Sequence, residues 1–505
     1  MSISGVASRW ALVFVVLLLT VTAWFGKAAA QNEAHATAAG PSAADLAGIW
    51  VAYASHDGES SPLILHLDTA EGGALRGRWS TPAIHVWEVG LPPVSVQGDE
   101  VKIENVIVLH YDRAAGTLTG TLPAFWVPVY PMQVTFRRSR PQRPEPAAPI
   151  AAPVWTFDAK AAVWADLAFA KGVLFVGADD GQLHALDAGT GKPSWNFHAG
   201  GAIRACPRPA GGDLFVQADD GYLYRLNAAS GEQRWRARLE PPVVRHPLDK
   251  EDSNYDYRAS GVTIADRRLF VGTHDGHLLA LDPADGSRLW DFATAGSVLS
   301  TPAVDSGRVY FGSFDGNVYA LAAASGALLW KHDTGAPVSS SPALHEGRVI
   351  IGSRSYDLMA LDGASGKPAW TRYYWFSWVE SSATILGGSA YVGSSDAAKL
   401  FAFDARSGRR LWDLDAGGCA WGRPAVNERR VYIGTVGTQH YIAEHRAMVL
   451  AVDRATGLPS WRYPVAAPAA APRELAAYGF AGSPVLGAGL VYFAGLDGRV
   501  QAFKP

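Results

Sequence analysis

Residues 309–330 read VYFGSFDGNVYALAAASGALLW, and this unit recurs through the C-terminal two thirds of the 505-residue chain. Each copy has an alternating apolar run, an Asp-Gly turn or a substitute, a second alternating run ending in Ala-Leu-Asp or similar, a Gly, and a Trp. Alternation at period two marks strands with one buried face. Asp315-Gly316 reads as a tight type I′ hairpin, in which both central residues take positive φ. Gly326 stands where a second turn reverses the chain, and Trp330 is large enough to fill the gap between neighbouring sheets. Full copies end at Trp195, Trp235, Trp290, Trp330, Trp370, Trp412 and Trp461, with successive gaps of 40, 55, 40, 40, 42 and 49 residues.

A period of about 40–50 residues with four strands per unit is a propeller signature. An eighth copy begins at Leu490, and the chain ends at Pro505 before any Trp follows. The missing strand lies around Trp155, forty residues before Trp195. Its insertion into the last blade closes an eight-bladed ring and removes open sheet edges. The expected fold is therefore all-β: a propeller over 153–505 closed by an N-terminal strand.

The pattern resembles the quinoprotein-type (PQQ-like) β-propeller repeat, whose consensus runs VYVGSxDGxLYALDxxTGxxxW. That repeat occurs in pyrroloquinoline-quinone dehydrogenases and in non-enzymatic assembly scaffolds such as the BamB family, so it specifies fold better than function. The dehydrogenases hold the quinone between a Trp floor and a vicinal disulfide, with Ca²⁺ on carboxylate and amide oxygens and an Asp base. This chain has no Cys-Cys pair, so the resemblance is to BamB rather than to a full quinoprotein alcohol dehydrogenase.

The remainder reads as leader, tail, small domain and linker. In residues 1–30, Arg9 precedes the apolar run Trp10 to Phe25, and Ala28-Ala29-Ala30 offers a small-residue cleavage site, as in a secretory signal. A sixteen-residue run is short for a spanning helix, which needs about 20. No transmembrane span is expected after removal of this leader, and the location expected is periplasmic or secreted. No Cys follows the run, so a lipid-anchored start is not expected, unlike BamB proteins. Residues 31–44 are Ala-, Gly- and Ser-rich and are expected to be disordered. Residues 45–138 carry short alternating runs from Gly48–Tyr53 to Met132–Phe136 separated by turns, which predicts a small antiparallel β-barrel or sandwich. Gly48-x-Trp50 loosely resembles the start of lipocalin-type barrels. Trp79, Trp87 and Trp126 read as its core. Residues 139–152 are Pro-rich and read as an extended linker.

Charged residues are sparse at 18%, net charge is −3, and no basic surface is concentrated in the sequence, so nucleic acid is not an expected partner. Cys206 and Cys419 fall in blades two and seven; an exported protein permits their pairing, and the sequence leaves it open.

The repeats also show where variation is allowed. Antiparallel blades place A–B and C–D turns on one face and B–C and D–A turns on the other. The residue in the Asp slot precedes Trp by eight in all seven full copies, from Asp187 to Asp453. Length variation falls on the other face, as in 240–257, 373–378, 437–447 and 462–479. A fold that elaborates one rim usually works through it. On that rim, aligning inner strands on Ser341-Pro342 and Ser483-Pro484 gives a slot three before the Pro position. It is occupied by Trp164, Arg204, Arg258, Leu299, Ser339, Glu380, Trp421 and Ala481, with Asp166 and Arg423 one before the Pro position. Two Arg, one Glu and two Trp suit an anionic planar ligand. The same residues suit a water-filled channel whose charges pair with one another. Glu380 and Asp166 could ligate Ca²⁺ only with loop groups such as Asn254 or Asp256. The aromatic run Tyr373, Tyr374, Trp375, Phe376 and Trp378 suits a protein contact. His440-x-x-x-Glu444-His445 is one residue longer than a zinc-protease spacing and is set aside. Gly191-Lys192 lacks the glycine a phosphate loop requires.

The reading favoured is a periplasmic scaffold that binds an envelope protein through the elaborated rim, with no catalytic residues and no cofactor or metal expected. The alternatives are a PQQ- and calcium-dependent dehydrogenase of alcohols or sugars, and a non-catalytic small-ligand propeller.

Overall fold

The computed structural model describes residues 40–56, 59–70, 72–81, 86–122, 132–139, 148–243, 258–374, 377–438, 445–468 and 477–505. The leader and residues 31–39 lie outside these, as do Trp126, Asn254, Asp256, Trp375, Phe376, His440 and Glu444. The chain divides into two compact units, residues 1–144 with 249–254, and 145–248 with 255–505.

In the first unit Ser42 caps a one-turn helix, Ala43–Leu46, and a capping box ties Asp45 back to Ser42. The cap and the first two residues of this helix fall within the segment 31–44 that was expected to be disordered. Among the described residues nine strands follow: β1 (Gly48–His56), β2 (Glu59–Thr69), β3 (Leu75–Thr81), β4 (Val86–Gly90), β5 (Val94–Gln97), β6 (Glu100–Ile103), β7 (Ile107–Asp112), β8 (Thr117–Leu122) and β9 (Met132–Arg138). Their order β2-β1-β9-β8-β7-β6-β5-β3, with β3 pairing back to β2, closes an eight-stranded barrel, and β4 adds to β3 outside that ring. The alternating run Val101–Leu109 is two strands, because Asn105 at φ 56° reverses the chain. Trp50 is fully buried. Its indole N–H donates to the Leu46 carbonyl at 2.8 Å, and the Arg138 guanidinium lies 4.6 Å over its ring. Trp79 is buried as well.

The second unit is an eight-bladed propeller. Eight four-stranded sheets repeat one antiparallel order, and the last is Trp155–Asp158, Arg499–Phe503, Leu490–Ala494 and Val485–Gly487. Trp155 pairs with Ala502 and Asp158 with Arg499, so the N-terminal strand does complete blade eight.

Why each repeat needs Trp and Gly is visible between blades. Trp290 packs on the C–D turn of the next blade, and a Cβ on Gly326 would sit 2.8 Å from its ring. Gly326 also has φ +73°, which a side chain would resist. The Trp290 indole N–H donates to the Ala323 carbonyl at 3.1 Å. Trp155 makes the same contact on blade one, donating to the Ala188 carbonyl at 3.1 Å beside Gly191. The recurring Asp of the C–D turn ends its strand: Asp362 Oδ1 accepts from Ser365 N–H and O–H at 2.8 and 2.7 Å. Those bonds hold the Asp362 carboxyl below its usual range.

The hairpin reading needs one correction. Gly316 has φ +89° and Asp315 does not adopt positive φ, so the Asp-Gly turn is not type I′. Gly316 N–H donates to the Ser313 carbonyl at 3.1 Å, and Ser313 N–H to the Asn317 carbonyl at 3.0 Å. A three-residue loop ending in left-handed Gly fits these bonds. Asp315 is there for its carboxylate, which accepts from Asn317 N–H at 3.0 Å and Tyr319 O–H at 2.7 Å. Two successive positive φ values occur instead at the A–B turns, as in Ser306-Gly307 (49°, 73°) and Glu346-Gly347 (46°, 73°).

Candidate functional site

The inner strands are joined by a belt of side-chain acceptors. Gly261 N–H donates to Thr301 Oγ1 at 2.9 Å, Thr301 N–H to Ser341 Oγ at 2.9 Å, and Ser341 N–H to Ser382 Oγ at 2.8 Å. On the other side of the ring Arg423 N–H donates to Ser483 Oγ at 2.8 Å and Ser483 N–H to Asp166 Oδ1 at 2.7 Å. Asp166 thus takes the place of a belt hydroxyl, and Arg423 enters the belt through its backbone while its side chain is exposed.

A second hydroxyl fixes the alignment of the blades. Ser260, Ser300, Ser340 and Ser381 each accept from a glycine N–H twelve residues on, at Gly272, Gly312, Gly352 and Gly393. Blade three is therefore shifted by one residue from the sequence alignment. Ala259 holds the slot shared by Leu299, Ser339 and Glu380, and Arg258 precedes it.

The slot residues are met by the B–C turn of the preceding blade. Asp179 of blade one pairs with Arg204 of blade two through 2.8 and 2.9 Å bonds. Arg354 of blade five pairs with Glu380 of blade six at 2.7 Å, both side chains about one-tenth exposed. Ser395 of blade six accepts from the Trp421 indole N–H of blade seven at 3.0 Å. Trp164 and Trp421 pack against Cys419, Val436 and Ala481. Arg354 also lies 4.6 Å over the Trp378 ring and 5.1 Å over Phe314. Sequence reasoning missed Asp179 and Arg354. The signal was present in two aligned columns, 25 and 26 residues apart, carrying opposite charges.

Arg258 does something different. Its guanidinium donates to the Glu380 carbonyl at 3.0 Å and to the Trp421 carbonyl. Blades three and seven face each other across an eightfold ring, so this side chain spans the channel. Beside it, buried Glu240 accepts from His274 N–H at 2.7 Å and Asp275 N–H at 3.1 Å, with His274 Nδ1 at 3.2 Å.

Of the aromatic run, Tyr374 is core: it is buried, with its ring 4.6 Å from Phe401 and 6.0 Å from Phe403. Its assignment as a contact residue is corrected on that ground. Tyr373 and Trp378 are half-buried at the rim. Tyr356, which replaces the turn glycine in blade five, sits at φ 70° and meets Tyr373 edge-on at 6.2 Å. A bulky residue in that region stores strain of about 1–2 kcal/mol. The long excursions of blade seven meet each other: Val436–Thr438 from its B–C turn pairs with Ala477–Gly479 from its D–A link. The opposite face keeps two-residue A–B turns such as Ser306-Gly307.

Cys206 and Cys419 are free thiols. Cys419 Sγ lies 3.5 Å from His445 Nδ1, and His445 Nε2 lies 3.4 Å from the Asp396 carbonyl. Burial pushes the Cys419 thiol up and the His445 imidazole down, so both are neutral near pH 7 and the pair is not an activated nucleophile.

Among the described residues, the charged groups named for a quinone or calcium are engaged within the chain. The Arg204 and Arg354 guanidiniums are engaged by carboxylates and Arg258 by carbonyls. The Glu380 carboxylate is matched by Arg354, and Asp166 is a belt acceptor. Among the described residues no group of three or more His, Cys, Asp or Glu side chains is placed to hold a metal ion.

A family profile described as Outer membrane protein assembly factor BamB matches residues 150–249, 243–315 and 314–505. The chain belongs to the BamB family. A BamB sequence from Alteromonas naphthalenivorans is 44% identical over 50 residues, which is 10% of this chain and 12% of that protein. The chain thus matches about an eighth of that relative's length. The crystal structure of BamB from Moraxella catarrhalis superposes at TM-score 0.53 and 18% identity, covering 70% of this chain and 98% of that one. Quinohemoprotein alcohol dehydrogenase from Comamonas testosteroni superposes at TM-score 0.53 and 13% identity, covering 70% and 76%. At such identities both likenesses concern the fold alone. No helix among the described residues is long and apolar enough to cross a membrane.

Proposed function

We propose that this BamB-family propeller is an exported, periplasmic binding scaffold that engages a protein of the cell envelope through the rim carrying its B–C and D–A turns. The observation that carries the reading is the asymmetry of the disc. One face repeats minimal turns, while the other holds the added ladder Val436–Thr438 with Ala477–Gly479 and the strained Tyr356 beside Tyr373. Strain retained in a rim turn is a mark of a working surface. Charged slot residues answered from within the chain favour a closed channel over a ligand pocket, and so favour binding over turnover. The family profile and the sequence relative are named as outer membrane protein assembly factor, which makes a partner in that assembly the first to test.

The experiment is recovery of crosslinked partners from intact envelopes with the full chain and its Tyr373→Ala/Trp375→Ala variant. The expected result is a specific partner with the parent chain and its loss with the variant, at an unchanged thermal midpoint. Equal recovery by both proteins overturns the rim as the contact surface.

A further inference from the structure

Blade two differs from the other seven on its outer strand, Gln233–Arg238. Arg234, Arg236 and Arg238 occupy alternate positions and are all exposed, whereas Trp235 and Ala237 between them are half-buried. Alternate residues of a strand share a face and lie about 6.7 Å apart. At the corresponding positions blade one has Ser194, Asn196 and His198, and blade six has Leu411, Asp413 and Asp415. In a chain of net charge −3, three arginines in file are a local concentration of positive charge.

Arg236 and Arg238 face outward with their backbone as well. This strand is at the edge of its sheet among the described residues. Leu239 N–H donates inward to the Gly221 carbonyl at 2.9 Å, and Tyr222 is opposite Arg238. By the alternation of an antiparallel ladder, Ala237 and Trp235 also bond inward, and Arg238 and Arg236 direct N–H and C=O out of the sheet, up to the bulge at Arg234. Blade seven shows what that edge can take. There Arg462, one residue after Trp461 as Arg236 is one after Trp235, is bridged by an added segment in parallel register at Ile150. Arg462 N–H donates to the Pro149 carbonyl at 2.9 Å, and Ala151 N–H to the Arg462 carbonyl at 2.8 Å. An extended segment therefore already docks by its backbone at the equivalent position of this fold.

We infer that the outer edge of blade two is a docking site for an extended acidic peptide of a protein partner, which adds as a fifth strand with a carboxylate at every second residue. Backbone hydrogen bonds would supply register, and the spacing of Arg234, Arg236 and Arg238 would select alternating carboxylates. Arg236 is held for this by the Tyr222 ring, 4.7 Å below its guanidinium, and Arg234 by Asp213 at 2.9 Å. A peptide is favoured over other polyanions because the outward N–H and C=O groups alternate donor and acceptor, which phosphate or sulfate polymers cannot match. The inference extends the scaffold reading but uses a different surface from the rim.

The test is fluorescence anisotropy of a short peptide with glutamate at alternate positions, titrated with the full chain. The Arg236→Gln/Arg238→Gln variant, whose changes are on exposed side chains, should weaken binding roughly tenfold with no change in thermal midpoint. Methylating the peptide's backbone nitrogens at alternate residues should weaken it at least as much. Amide exchange at Arg236 and Arg238 should slow when the peptide binds. The Tyr373→Ala/Trp375→Ala variant should bind the peptide as the parent does, which separates this outcome from that of the rim. Unchanged affinity in the glutamine variant overturns the site. Equal binding of the methylated peptide, of polyphosphate or of anionic lipid vesicles overturns strand addition and leaves a general anion-attracting patch.

Discussion

At the scale of single residues, the mouth of the channel is decided by pairs that no position shows alone. Glu380 reads as a ligand or a metal carboxylate until Arg354 is seen 2.7 Å away. Because both side chains are about nine-tenths buried, their worth depends on what replaces them. Glu380→Leu strands a buried guanidinium and should cost about 3–5 kcal/mol. The paired change Arg354→Met/Glu380→Leu removes both desolvated charges and should come within about 1–2 kcal/mol of the parent. Urea denaturation of the two single variants and the double variant measures the coupling. Additive losses would mean that the pair contributes no more than two separate surface charges.

At the scale of elements, the repeat is an interlock as much as a sheet. Trp290 needs Gly326, and Trp155 needs Gly191, because a ring lies where a Cβ would be. This contact was legible as composition, since Gly and Trp recur at fixed spacing. Its partner was not, because the Gly that meets a given Trp belongs to the next blade. The closing strand is the most exposed instance. Trp155→Ala should destabilise the propeller by about 3–5 kcal/mol. Amide exchange should then quicken first in Arg499–Phe503, which loses its paired edge. Uniform exchange across all blades would mean that closure does not limit local opening. The hairpin error has a similar cause: Asp-Gly signals a turn, but Tyr319 and Asn317 decide which one by recruiting the Asp315 carboxylate.

At the scale of the whole molecule, one buried histidine gives stability a pH dependence. His445 is 2% exposed, and burial holds its imidazole below the usual value near 6.5. His332 is shifted the same way by burial. In the unfolded chain these groups take up protons at a higher pH than in the folded one. The unfolded state therefore binds more protons as pH falls through about 6.5, and folding stability declines there. The thermal midpoint should drop between pH 7.5 and roughly pH 5.5, and His445→Gln should flatten that slope while lowering the midpoint at neutral pH. An equal slope in the variant would assign the dependence to other groups. The carboxylates of the C–D turns, such as Asp404 and Asp453, act in a separate window. Their lowered values give stability that is lost only as pH falls below the ordinary aspartate range.

The sequence alone determined the ring: blade number, strand order, the closing strand and the face that carries long loops follow from period-two alternation and fixed Trp spacing, which are local properties of the chain. The small barrel was legible as one of two alternatives, barrel or sandwich, while the strand Val94–Gln97 was not. Only the tertiary structure decided what the mouth residues do. Arg204, Arg258 and Glu380 are answered by Asp179, backbone carbonyls and Arg354 from other blades. Such pairings arise when the ring closes, and a charge is a ligand or a structural partner according to what stands across that gap.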